Sequence, residues 1–244
     1  MELIIVFGMI PNLCQQHKQE RKVMKEYHKI KTVFLRDPQN KFKTLLEGQY
    51  SIPEFQYLAN NEWTFTEKVD GTNIRVIWNH ETRQISFLGK TDNAQIPPFL
   101  LKSLDNLFKP NQFQDYFPEI SLCLYGEGYG AKIQKAGSNY RLDQSFVLFD
   151  VKINDWWLKR EDVEDISRKF NIDVVPIVGY GTLEQMINLV KSGFKSAWSL
   201  GEGFIAEGIV ARPMIELKTR DGERIITKLK YKDYIGTEDA GEMV

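Results

Sequence analysis

Glu67-Lys68-Val69-Asp70-Gly71-Thr72-Asn73 joins two apolar runs, Trp63 to Lys68 and Asn73 to Trp78. Asp-Gly is a common turn pair, so the stretch reads as strand, turn, strand. Working outward, Asn79-His80-Glu81-Thr82 turns the chain into Arg83 to Leu88, and the three runs form a meander. Pro97-Pro98 opens a helix through Phe108, with Phe99, Leu100, Leu104 and Leu107 on one side. Ile120 to Tyr125 and Phe146 to Ile153 are apolar strands, and residues 159–170 form an amphipathic helix. Thr182-Leu-Glu-Gln185 is a capping box for a helix that stops near Ser192-Gly193. Ile205 to Arg212 and Arg224 to Tyr231 are the last strands, with Arg220-Asp-Gly-Glu223 turning the chain before the second. Hairpins mixed with helices specify an α+β fold of mainly antiparallel sheets with flanking helices.

Composition narrows the class. The 244 residues are 42% hydrophobic and 27% charged, the balance of a globular protein long enough for one large or two small domains. A net charge of −1 means that any polyanion site must be a local patch. Cys14 and Cys123 lie far apart without metal-type spacing and fit a reducing compartment, hence a cytoplasmic location. The apolar start, Met1 to Ile10, lacks a basic n-region and a cleavage site and is too short to span a bilayer, so no membrane partner is expected. Residues 17–31 carry Lys18, Arg21, Lys22, Lys25, Lys29 and Lys31 against Glu20 and Glu26. This is a basic helical stretch, either a solvated face or an arm for a phosphate backbone. The chain thus divides into a basic, helical N-terminal extension over 1–35 and a main domain over 36–244.

Several strand ends carry groups suited to phosphate chemistry. Lys-x-Asp-Gly alone arises by chance in roughly one chain in twenty of this length, so its weight depends on the residues C-terminal to it. Glu127, in Tyr125-Gly-Glu-Gly-Tyr-Gly130, sits where a carboxylate can accept ribose hydroxyls, and the glycines admit a ligand to the backbone. A plain glycine-rich turn is the simpler reading. Phe149 ends a strand and suits either core packing or stacking on a purine. Glu207 precedes an apolar strand and suits a metal. In Ile226-Thr-Lys-Leu-Lys230 the alternation places Lys228 and Lys230 on one face, solvated or bridged by a polyanion.

These pieces, in this order, resemble the covalent nucleotidyltransferase superfamily of polynucleotide ligases and mRNA capping enzymes. Lys68 to Gly71 resembles its first motif; Tyr125-Gly-Glu127, Phe146-Val-Leu-Phe-Asp150, Glu207-Gly-Ile-Val210 and Lys228-Leu-Lys230 resemble the later ones. Glu67 to Asn73 and Gly89-Lys-Thr-Asp-Asn-Ala-Gln95 are most similar to the ATP-dependent RNA ligase 2-like family. The resemblance covers about residues 40–234 and implies an ATP-grasp-like ligase adenylation domain.

The resemblance implies a role for each position. Lys68 would be the nucleophile that forms lysyl–AMP from ATP. Glu67 and Asn73 would contact adenine and ribose or phosphate. Lys90 stands where relatives often carry an arginine on the phosphates, and lysine lacks the bidentate fork. Glu127 would bind ribose, Phe149 would stack on adenine, and Asp150 would support the site. Glu207 would organise Mg²⁺ or Mn²⁺. Arg212 would hold a phosphate or the RNA strand. Lys228 and Lys230 would hold the triphosphate. Those cations and the metal are expected to lower the Lys68 pKa from its ordinary value of about 10.4. AMP would then pass to a 5′-phosphate RNA end, which a 3′-hydroxyl would seal.

Lys132, Lys135 and Arg141 are candidate RNA backbone contacts. Fourteen residues follow Lys230, too few for the C-terminal OB-fold of many relatives. RNA contacts are therefore expected from the N-terminal segment, an accessory protein or self-association, and strand sealing is less firmly implied than lysyl–AMP formation. Alternatives are a DNA ligase, a capping-type transferase using the same lysine, or a non-catalytic RNA- or nucleotide-binding module.

Overall fold

The computed structural model of the chain describes residues 26–200 and 203–235. The first half runs β1 (Lys31–Thr32), β2 (Phe34–Arg36), β3 (Leu45–Tyr50), α1 (Pro53–Tyr57), β4 (Trp63–Glu67), β5 (Thr72–Asn79), β6 (Gln84–Leu88), α2 (Pro98–Leu107) and α3 (Pro110–Tyr116). The second runs β7 (Leu122–Gly130), β8 (Gln144–Ile153), β9 (Trp156–Trp157), α4 (Arg160–Phe170), β10 (Asp173–Val174), β11 (Ile177–Gly181), α5 (Leu183–Ser192), β12 (Gly208–Pro213) and β13 (Thr227–Lys230).

Besides a small sheet of β2 with β3, two larger sheets organise these strands. One has the order β1-β13-β12-β4-β11; the other has the order β10-β8-β7-β5-β6, with β9 on β8. All pairings in them are antiparallel except β1 with β13 and β10 with β8. The α+β expectation holds. β4 and β5 do not pair with each other, however. They belong to different sheets, so the Asp-Gly stretch is a crossover between sheets and not the hairpin turn that its residues suggest. Asp-Gly suits a change of direction in either setting; only tertiary pairing decides between them.

Alternation along the strands gives each sheet one core face and one face toward the cleft between sheets. In β5, Ile74, Val76 and Trp78 are buried with Leu100 and Leu104 of α2, Phe113 of α3 and Phe170 of α4. In the other sheet, Trp63, Phe65, Ile209 and Leu229 are buried with Phe55 of α1 and Met186 and Val190 of α5. Each such side chain contributes about 1.5–3 kcal/mol by leaving water. The opposite face presents Thr66, Val210, Arg212 and Lys228 to one cavity with Asn73, Glu127 and Phe149.

Other differences from the sequence reading are local. The glycine-rich stretch Tyr125 to Gly130 lies inside β7 and is not a turn. A Cβ on Gly126 would sit 2.2 Å from the Phe146 ring, so close strand packing accounts for that glycine. The basic helix expected over 17–31 falls mostly outside the described residues. Its described end, residues 26–30, is not helical and leads into β1, which completes a sheet edge beside β13. No helix among the described residues is long and apolar enough to cross a membrane.

Candidate active site

Lys68 lies where the chain leaves β4 and crosses to the other sheet. Its backbone N–H donates to Gly208 O at 2.9 Å, and the Glu67 N–H donates to Pro176 O at 3.0 Å, fixing the crossover at its start. Further on, Asp70 N–H donates to Tyr140 Oη at 3.1 Å, and Gln134 Nε2 donates to Gly71 O at 2.9 Å. A Cβ on Gly71 would lie 2.3 Å from Gly128 O, so only glycine passes this close to β7. The nucleophile candidate therefore stands on a backbone clamped from both sides.

The Lys68 ammonium donates to Glu207 Oε2 at 2.6 Å, and Lys230 Nζ reaches Glu207 Oε1 at 2.5 Å. Burial works against the Lys68 charge, but Glu207, Glu127 and Asp70 outweigh it and raise its pKa above the usual lysine value. This reverses the lowered pKa expected from the sequence: the unliganded site surrounds Lys68 with carboxylates, and Lys230 is engaged with the same Glu207. The Lys228 pKa, by contrast, is lowered by burial and by Lys68, Lys230 and Lys90. Burial pushes the Glu127 carboxyl up to about 8, against the pull of Lys68.

A cavity of about 330 Å³ opens beside Lys68, lined among others by Asn73, Lys90, Glu127, Phe149, Arg212 and Lys228. Asn73 and Glu127 are direct cross-strand partners, which places them side by side. Phe149 is the extra residue of a bulge: Tyr125 pairs with Asp150 and Gly126 with Leu148. A bulge re-aims the side chain it carries, here onto the cavity wall. Asn73 Oδ1 and Arg212 Nε are buried polar atoms without a hydrogen-bond partner, and both residues line this cavity. Such orphans in a cleft mark a place for a polar ligand.

Two expected contacts take another form. Glu67 lines the cavity, and its carboxylate accepts from Ser196 Oγ at 2.5 Å and Ala197 N at 2.8 Å. Asp150 is fully buried behind Phe149, bonded to Arg212 at 2.8 and 2.9 Å, to Arg224 at 3.0 Å and to the Tyr27 hydroxyl. Both carboxylates are thus engaged by protein donors, Glu67 on the cavity wall and Asp150 behind it.

Sequence reasoning missed Tyr27, whose ring meets Phe149 edge-on at 5.1 Å and lines the cavity. It precedes the stretch that carries the motifs, and no local pattern marks it. Arg224 and Tyr140 lie within that stretch but were missed because their partners, Asp150 and Asp70, are remote in sequence.

A model of the RNA ligase family matches residues 61–231, most of the chain and all of the motif strands. The chain belongs to the RNA ligase family. Solved structures of Naegleria gruberi RNA ligase are similar to this member. One mutant without ligand is 19% identical, with a TM-score of 0.57, over 87% of this chain and 59% of that one. A second mutant, with ATP and Mn, is 20% identical, with a TM-score of 0.59, over 85% of this chain and 56% of that one. The family member described here thus spans less than two thirds of those chains, and the likeness shows a shared fold.

Proposed function

We propose that this RNA ligase family member is an ATP-dependent RNA ligase working through lysyl–AMP. The observation that carries this reading is Lys68 held at 2.6 Å by Glu207 on a clamped backbone, beside a cavity with unpartnered polar groups. Adenine would lie on Phe149, ribose between Asn73 and Glu127, and the triphosphate toward Lys90, Lys228 and Lys230. Arg212 is anchored on Asp150 and would offer its unpartnered Nε–H to the nucleotide. Glu67 and Asp150 would support the walls.

In the first step Lys68 Nζ bonds to the α-phosphorus and pyrophosphate leaves. The amine must first give up the proton that Glu207 stabilises. Incoming phosphates compete with Glu207 for Lys230, and the three distal lysines stabilise charge on pyrophosphate. AMP then passes from Lys68 to a 5′-phosphate, breaking P–N and forming a P–O–P bond. Attack by a 3′-hydroxyl on that 5′-phosphate releases AMP and joins the strand.

Among the described residues no three His, Cys, Asp or Glu side chains form a metal-binding group. Mg²⁺ fits such a site, because it is commonly bound by one or two carboxylates plus substrate phosphates. Glu207 is the candidate carboxylate for Mg²⁺ or Mn²⁺, which when bound would neutralise phosphate charge. An RNA partner with 5′-phosphate and 3′-hydroxyl ends is the substrate that this chemistry requires.

Intact mass after incubation with ATP and Mg²⁺ tests the first step. An AMP-sized gain in the wild type and none in Lys68→Ala is expected; a wild type without that gain across divalent metals rejects the proposal. GTP in place of ATP, and nicked DNA in place of nicked RNA, test the capping and DNA-ligase alternatives.

A further inference from the structure

Arg75 is, with Lys152 and Arg224, one of three buried cations among the described residues, and lysyl–AMP chemistry has no direct use for it. It comes two residues after Asn73 on β5, so both point to the cleft side, yet it is fully buried. A guanidinium out of water costs several kcal/mol unless its donors are met, and an apolar residue would suit this strand position otherwise. Two of its bonds converge on one short segment. Nε donates to Gly89 O at 3.0 Å and Nη2 to Asp92 Oδ1 at 2.8 Å. Those partners flank Lys90.

The segment is folded tightly on itself. Ala94 N–H donates to Thr91 O at 3.1 Å. A Cβ on Gly89 would meet Ala94 Cβ at 2.7 Å. Lys90 is exposed, lines the cavity and acts electrostatically on Lys228. A long lysine samples many rotamers, so its reach is set by where its backbone is held. The planar arginine fork suits a carbonyl and a carboxylate at once, which a lysine cannot match.

We infer that Arg75 is a positioning residue that clasps the 89–92 turn through Gly89 O and Asp92 and thereby sets Lys90 against the ATP phosphates. The inference rests on reading the cavity as the ATP site. It predicts that loosening the clasp weakens phosphate recognition and spares recognition of the nucleoside.

Calorimetric binding of ATP and of adenosine to wild type, Lys90→Ala, Asp92→Ala and the double variant tests it. Asp92 has a side chain 71% exposed, so its removal leaves the core intact. Lys90→Ala should weaken ATP about tenfold and Asp92→Ala about threefold, with adenosine unchanged and the double variant no weaker than Lys90→Ala. Arg75→Lys, checked by thermal melting, should behave as Asp92→Ala does. Should Arg75→Lys not fold, the Asp92→Ala cycle decides alone. Losses that multiply in the double variant, or that fall equally on ATP and adenosine, overturn the role of Arg75. A wild type that binds no ATP instead removes the reading of the site on which the inference stands.

Discussion

Glu207 joins Lys68 and Lys230 through its two carboxylate oxygens, at 2.6 and 2.5 Å. The nucleophile candidate is therefore stored as an ammonium ion, paired to the residue most suited to the metal side of the site. Because its pKa is raised above the usual value, the rate of lysyl–AMP formation should climb with pH through 7 to 9 without levelling, about tenfold per unit. Glu207→Gln removes the anion holding the proton. The rising limb should move to lower pH, while the rate falls roughly tenfold or more from lost positioning. An unmoved limb would show that Glu207 does not keep Lys68 charged.

Glu127 makes the opposite kind of pH dependence. Its carboxyl is raised to about 8 by burial, so the folded protein holds this proton where the unfolded chain, near the ordinary value of about 4.3, has lost it. Between those values the unfolded state binds fewer protons, and stability from this group falls as pH rises. Glu127→Gln should lie close to the wild type in melting temperature at pH 5 and exceed it by roughly 8–15 °C at pH 8.5, for about 4 kcal/mol. Parallel melting profiles from pH 5 to 8.5 would reject the raised pKa.

Asp150 sets a larger structural effect. Burial opposes its charge, but Arg212 and Arg224 outweigh that and hold its pKa below the usual carboxylate range. Its contribution is present above the unfolded value and lost as pH falls through the folded one. Asp150→Ala leaves two guanidinium groups facing each other, one of them nearly fully buried. The expected loss is about 3–5 kcal/mol, read as a fall in denaturant midpoint. A loss below about 1 kcal/mol would mean that water or Glu216 replaces the carboxylate.

The sequence carried what is local and periodic. Alternation set Lys228 and Lys230 on one face, and the structure puts Leu229 in the core between them. The capping box at Thr182 and Gln185 forms as read. What escaped depends on partners remote in sequence. Nothing around Lys68 tells a hairpin from a sheet crossover, because β4 finds its neighbours β12 and β11 more than a hundred residues later. The Ser196 hydroxyl that donates to Glu67 lies 129 residues further on, so no local pattern announces it. Phe149 was legible as an aromatic at a strand end, whereas the bulge that aims it needs the register of two strands. Tyr27, on a short segment ahead of β1, joins the cavity through Asp150, Phe149, Tyr125 and Trp157, all remote in sequence.

RNA affinity should depend on particular cations beside the crossover. Residues 131–141 form a collar fastened to it by the Gln134 and Tyr140 bonds to Gly71 and Asp70. Lys132 and Lys135 are exposed on this collar. Arg141 is paired with Asp143 at 2.5 and 2.9 Å and lies over the Tyr129 ring, so its charge is already answered. Each phosphate contact to a single strand contributes about 0.7 to the slope of log affinity against log salt. Lys132→Ala and Lys135→Ala should each lower the slope by about that amount in a salt titration with 5′-phosphorylated RNA, while Arg141→Ala leaves it unchanged. Equal slopes in all four proteins would place the RNA path elsewhere, and a drop confined to Arg141→Ala would mean that RNA displaces Asp143 from the arginine.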